Sequence, residues 1–217
     1  MSAAADLVLL GVILSNLYVL GTGRVLACVR ASAAQGALLA ALPLLLHAEG
    51  AATPWIHLGA TAAGTLTLKA GLIPWLLRRA AREPGARREV EPLVSLPTSV
   101  LLGAVLAGFA FWMGRRLPLP MAVSSALLVP VALSTVLCGF LVLVSRRKAV
   151  TQVIGYLMLE NGVFAFGLCL VNALPFVVEL CVLLDVLVGV FVMGITINHI
   201  SREFDHIETD RLAALRE

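Results

Sequence analysis

Long apolar runs separated by short charged clusters set the pattern of this chain. Seven runs are of membrane-crossing length or close to it: 6–26, 31–47, 55–77, 98–114, 119–144, 149–171 and 175–200. A transmembrane helix needs about 20 mostly apolar residues. The pattern therefore predicts an all-α integral membrane protein of about seven transmembrane helices. The second run is the shortest and holds Gln35 and Pro43; proline is tolerated inside a span, where neighbouring groups satisfy the freed carbonyl. Asp6 precedes the first apolar run and Arg24 and Arg30 follow it, so this run reads as a retained span and not as a cleaved leader. The connection 78–97 is the one sizeable loop, and Pro84, Pro92 and Pro97 argue against a single helix there. Its charges read as a solvated face, or alternatively as a docking surface for a soluble partner. The polar tail from residue 201 carries a weak apolar stripe of Phe204, Ile207, Leu212 and Leu215.

Charge orients these spans. With the N-terminus outside and the C-terminus inside, thirteen of the sixteen basic residues fall on inner segments. They cluster at 24–30, 78–97, 145–148 and beyond 200, leaving Arg115 and Arg116 outside and Lys69 within a span. This is the asymmetry expected when cytoplasmic loops collect Lys and Arg. Losing the weak second span would put the Arg24/Arg30 turn and the Arg78–Arg88 loop on opposite sides and worsen it.

Composition sharpens the class. The chain is 60% hydrophobic and 13% charged, against roughly 25% charged for an ordinary soluble domain, and its mean hydropathy is +0.98. Little soluble mass remains for a catalytic domain. A net charge of +3, concentrated at span ends, gives no footing for nucleic acid. Cys28, Cys138, Cys169 and Cys181 are widely spaced within or at the ends of apolar runs, with no CxxC and no neighbouring histidine, so they read as buried thiols. No nucleophile–base pair, phosphate loop or metal-ligand spacing is present, so the chain shows no active site of its own.

The candidate chemistry lies in four buried charges. An ionisable group deep in a bilayer is costly and usually marks an ion path or faces the protein interior. Glu160 lies about 16 Å from the start of the sixth run and Asp185 about 15 Å from the end of the hairpin turn, at 1.5 Å per residue. In a hydrocarbon core of about 30 Å both fall near mid-depth. A three-residue turn joins their helices, which are expected to be antiparallel neighbours with the two carboxylates close or water-linked. Desolvation disfavours the charged form of such a group, which suits it to exchange protons. Glu179 lies nearer the outer end, about 120° around the helix from Asp185, as an outer way-station or an interfacial residue. Lys69 sits near mid-depth in TAAGTLTLKAGLIPW, as a relay group or the partner of a carboxylate. His57 reads as an interfacial residue. Asn16, Gln35, Gln152, Asn161 and Asn198 suit interhelical hydrogen bonding, and Thr61, Thr65, Thr67, Gly59 and Gly64 suit close packing of the third span.

The segments SRRKAVTQVIGYLMLEN and LLDVLVGVFVMGI, with a tail like IETDRLAALRE, resemble the small three-helix K-type subunit of respiratory complex I and the C-type subunit of multi-subunit Na⁺/H⁺ antiporters. In that pattern Asp185 stands for the second membrane carboxylate. The first would fall at Leu157, two residues after Gly155, whereas Glu160 stands almost one turn later and directly before Asn161. Over its whole length the chain resembles hydrogenase-4 component E of the formate hydrogenlyase-type membrane-bound [NiFe] hydrogenases. The resemblance implies an organisation into a four-helix membrane region (1–118), a three-helix K-like region (119–200) and a cytoplasmic tail (201–217). It implies a non-catalytic membrane-arm subunit of a bacterial or archaeal cytoplasmic membrane, with Glu160, Asp185, Lys69 and Glu179 contributing to proton or Na⁺ translocation. Its implied partners are antiporter-like subunits, a membrane anchor subunit and a soluble hydrogenase arm holding the [NiFe] and Fe–S centres, none of them bound by this chain. The alternatives are a subunit of a stand-alone cation/proton antiporter, or a structural membrane spacer.

Overall fold

The computed structural model describes residues 3–47, 59, 62–81, 93–117, 126–170 and 194, and among these it forms helices. In chain order they are α1 (Ala3–Gly21), α2 (Val25–His47), α3 (62–80), α4 (Leu96–Gly114), α5 (Leu128–Ser145) and α6 (Ala149–Leu170). Five of them, α1, α2, α4, α5 and α6, are long and apolar enough to cross a membrane. The chain is a multi-pass, all-helical membrane protein. The seventh run apart from Gly194, and the tail, lie outside the described residues, as does most of the 78–97 loop.

The short second run proves to be a full helix of 23 residues that starts six residues earlier than its apolar pattern suggests and runs through Pro43. The reason is facial. Val25, Cys28 and Val29 are buried while Arg24, just before the helix, and Arg30, within it, are exposed, so neither arginine interrupts the buried face.

The third helix is irregular. It opens as α-helix at 62–65, widens to a π-helical stretch at Leu66–Leu72, and closes as α-helix over Ile73–Ala80. Pro74 follows the wide turn directly. It lacks an N–H and its ring crowds the carbonyl four residues back; a local π adjustment is a known accommodation inside membranes. The expectation that Gly59, Gly64 and their neighbouring threonines pack this helix against others is overturned in part. Among the described residues a Cβ at either glycine would meet nothing within 4 Å, and Thr67 is exposed and turns back onto the Ala63 carbonyl at 2.7 Å. Thr65 is buried, so the packed face runs through Thr65 and Lys69, one turn apart, and the glycines fall on the open side.

α4 begins with a cap: Ser95 Oγ accepts from the Thr98 N–H at 3.4 Å, and Pro97 occupies the first turn, where its missing N–H costs nothing. Leu101, Val105, Phe109 and Trp112 form an exposed apolar stripe along it.

α5 and α6 form the tightest pair. A Cβ at Gly139 would lie 2.5 Å from the Leu159 backbone nitrogen, one at Gly155 2.7 Å from that of Leu143, and one at Gly162 2.7 Å from that of Val136. Backbone meets backbone here, the close approach that small residues permit where lipid removes the hydrophobic driving force.

The interior divides into layers. One apolar cluster gathers Val19, Leu20, Val25, Val29, Leu77, Val142 and Met158; the other gathers Leu9, Val12, Leu39, Leu42, Val131 and Phe164. Both draw on helices from either side of residue 118. Each of α1, α2, α5 and α6 passes from one cluster to the other, and at the crossing each carries a buried polar residue: Asn16, Gln35, Thr135 and the Glu160–Asn161 pair.

Candidate functional site

The polar residues at these crossings meet in one layer, joined there by Lys69. The ammonium of Lys69 is ion-paired with Glu160 Oε1, with 3% and 1% of the two side chains exposed. It also donates to Asn161 Oδ1 at 3.0 Å and lies 5.0 Å from the centre of the Phe164 ring, within cation–π range. Two sequence features make the pairing possible. The wide π turn carries Lys69 on the packed face of α3. Gly36 lets α2 lie directly against it, since a Cβ there would sit 2.6 Å from Lys69 Cβ.

From Asn161 the contacts continue away from the ion pair. Asn161 Nδ2 donates to Gln35 Oε1 (3.0 Å), Gln35 Nε2 to Asn16 Oδ1 (2.7 Å), Asn16 Nδ2 to Thr135 Oγ1 (2.9 Å), and Thr135 to the Val131 carbonyl (2.8 Å). The file crosses α6, α2, α1 and α5. Its direction follows from its origin: a lysine ammonium can only donate, so Asn161 must present its oxygen, which commits its NH₂ to Gln35, and so on to the end. Every oxygen in the file faces towards Lys69. Buried polar groups in a membrane have no water to fall back on, so a file satisfied along its length is what such a layer needs.

Of the residues expected to carry chemistry, Lys69 and Glu160 are therefore brought into direct contact. Asn161, Gln35 and Asn16 make the interhelical hydrogen bonds foreseen for them, and do so as one file. Glu179 and Asp185 lie outside the described residues, and so does the expected approach of Asp185 to Glu160. Thr135 was missed; its signal was the Ser134–Thr135 pair in the middle of an otherwise apolar run. Arg146, counted in the sequence only as one of the basic residues of an inner turn, is 2% exposed. Its Nη2 donates to the Leu20 carbonyl at 2.9 Å, tying the last turn of α1 to the turn before α6. Burial lowers the pKa of its guanidinium, a group that nevertheless stays charged in proteins. Among the described residues no cluster of three or more His, Cys, Asp or Glu side chains converges.

No protein-family model and no solved structure matches the chain. Curated relatives do. Hydrogenase-4 component E of Escherichia coli strain K12 is 28% identical over 154 residues, 71% of each chain, and the protein of the same name from Shigella flexneri matches to the same extent. The uncharacterized protein Rv0085 of Mycobacterium tuberculosis is 36% identical over 210 residues, 95% of this chain and 93% of its own. At that identity over nearly the full length of both, the chain belongs to the family of Rv0085, with hydrogenase-4 component E as a more distant relative.

Proposed function

We propose that this chain is a non-catalytic membrane-arm subunit of a membrane-bound [NiFe] hydrogenase or a related complex-I-like assembly. Its Lys69–Glu160 pair exchanges protons as part of a translocation path coupled to redox chemistry in other subunits. The observation that carries this reading is an ion pair between two almost fully buried side chains in a polar layer between two apolar clusters. The relationship to hydrogenase-4 component E supports the choice of assembly. Ion pairs in a low-dielectric interior are poor devices for stability alone, because desolvation offsets much of their attraction. They are suited to changing charge, because any shift in the surrounding field alters which partner holds the proton.

In this reading the chain spans the cytoplasmic membrane of a bacterium or archaeon seven times, N-terminus outside. Protons, or Na⁺ in a sodium-coupled version, enter and leave the pair along a route that includes Asp185 and, nearer the outer face, Glu179. The amides of Asn161, Gln35 and Asn16 hold and orient Lys69 and do not carry the proton further. They have no ionisable group, and the file ends on a backbone carbonyl. Antiporter-like subunits, an anchor subunit and a soluble arm bearing the [NiFe] and Fe–S centres complete the assembly.

A second reading is favoured by the completeness of the file: the layer is a clasp that fixes helix register. One experiment separates the two. The affinity-tagged chain is isolated with its partners, and Lys69→Met is compared with the parent for subunit composition and for proton movement into reconstituted vesicles. Both readings expect Lys69→Met to lower the yield, since Glu160 loses its buried cation. The relay reading expects hydrogenase-type and antiporter-like subunits to co-purify with the parent, and whatever Lys69→Met complex assembles to have lost translocation; the clasp reading expects that complex to move protons at the parental rate. Isolation without such partners would refute membership in the assembly.

A further inference from the structure

A groove of about 950 Å³ runs between α1 and α2 on the outside of the bundle, away from the polar layer. Its walls are Gly11, Leu14 and Tyr18 on α1, and Ala27, Ala34 and Leu38 on α2. The small residues of α2 make the trough. Leu38 closes its far end by packing onto Gly11, where an added Cβ would sit 3.1 Å from Leu38 Cδ1. The other end opens beside Arg24 and Arg30, both exposed. From Tyr18 to Gly11, or from Arg30 to Leu38, the apolar trough extends about 10–12 Å at 1.5 Å per residue. That lies within one leaflet of a core about 30 Å thick.

The charges at the mouth have no acidic partner among the described residues. Among the described residues neither arginine makes an ion pair, and none of the described residues lining the groove is acidic. The first turn of α2 contains no acidic residue either. Arg24 thus stands immediately before a helix N-terminus, itself the positive end of a dipole, where an anion is the stabilising occupant. An apolar trough of leaflet depth with two exposed guanidiniums at its membrane-surface end matches an amphiphile with an anionic head. Basic pockets between membrane helices recognise acidic lipid head groups in this way, and guanidinium suits phosphate because it can donate twice in a plane.

We infer that this groove is a binding site for one anionic phospholipid, with an acyl chain in the trough and the phosphate held between Arg24 and Arg30. The site requires only that the chain spans a membrane and does not depend on the proposed proton path.

The test uses the full-length chain, purified from membranes, stripped of lipid and offered phosphatidylglycerol or phosphatidylcholine, with retention read by native mass spectrometry. The parent is expected to keep one phosphatidylglycerol under activation that removes phosphatidylcholine. Arg24→Gln with Arg30→Gln is expected to weaken that retention about tenfold or more, while Arg24→Lys with Arg30→Lys preserves most of it. Ala34→Leu, which fills the exposed trough and leaves both charges, is expected to weaken it comparably. The site is refuted if the parent holds both lipids equally, if the double glutamine variant holds phosphatidylglycerol as well as the parent, or if Ala34→Leu changes nothing. It is refuted as well if, in the isolated assembly, a crosslinker at Ala34 captures a partner helix and no lipid.

Discussion

α6 takes part in two contacts built on opposite principles. Through Gly155 and Gly162 it lies against α5 with backbone touching backbone; through Glu160 and Asn161, a turn away, it reaches α3 and α2 by charge and hydrogen bond. The glycine seam has no chemistry and a fixed geometry, and any added atom must displace a main chain. The polar layer is held by side chains from helices 91 to 126 positions away in sequence, and its members can be exchanged for others of similar shape if charge is conserved. In a membrane, where helices gain little by hiding from water, the first kind of contact supplies the rigid frame. In the proposed function, the second kind is the place where charge changes without the frame moving.

The comparison is broken most severely by leaving one charge alone in the layer. Lys69→Leu is expected to destabilise the chain by about 3–5 kcal/mol, because Glu160 then stays buried without its cation. Lys69→Leu with Glu160→Leu should recover much of that loss. Thermal unfolding in detergent measures both, and equal losses for single and double variants would contradict the pairing. Next comes the seam: Gly155→Leu is expected to cost about 3 kcal/mol, at the upper end for overpacking, since the obstacle is the Leu143 backbone. No second-site change in a side chain should restore it, in contrast with the ion pair. Gln35→Leu, which cuts the amide file between Asn16 and Asn161, is expected to cost only about 1 kcal/mol, the scale of interhelical hydrogen bonds in membranes. Ser99→Ala calibrates the low end. That hydroxyl is buried and has no hydrogen-bond partner among the described residues, so its removal should be neutral or slightly stabilising, within about 0.5 kcal/mol.

Apolar run length made the helices legible in the sequence, because only a continuous helix satisfies its own backbone across a bilayer. It misjudged α2, because a linear run cannot tell that Arg30 is exposed while Val25, Cys28 and Val29 are buried. The cost of burying charge singled out Lys69 and Glu160, but their partnership was not visible. It depends on the π turn before Pro74 and on the absence of a side chain at Gly36, and both act through three-dimensional approach. The amides were recognised as helix-bridging groups one at a time. That they form a single directed file follows from lysine being a donor only, which becomes informative once Asn161 is known to face it.

The central claim is that Glu160, paired with Lys69, holds and releases a transported proton. It is tested most directly by Glu160→Gln in the assembled complex, with redox turnover and proton movement recorded together in sealed vesicles. The account predicts normal subunit composition, with proton movement reduced at least about tenfold per turnover and partly restored by Glu160→Asp. Proton movement at the parental rate by a fully assembled Glu160→Gln complex would contradict it.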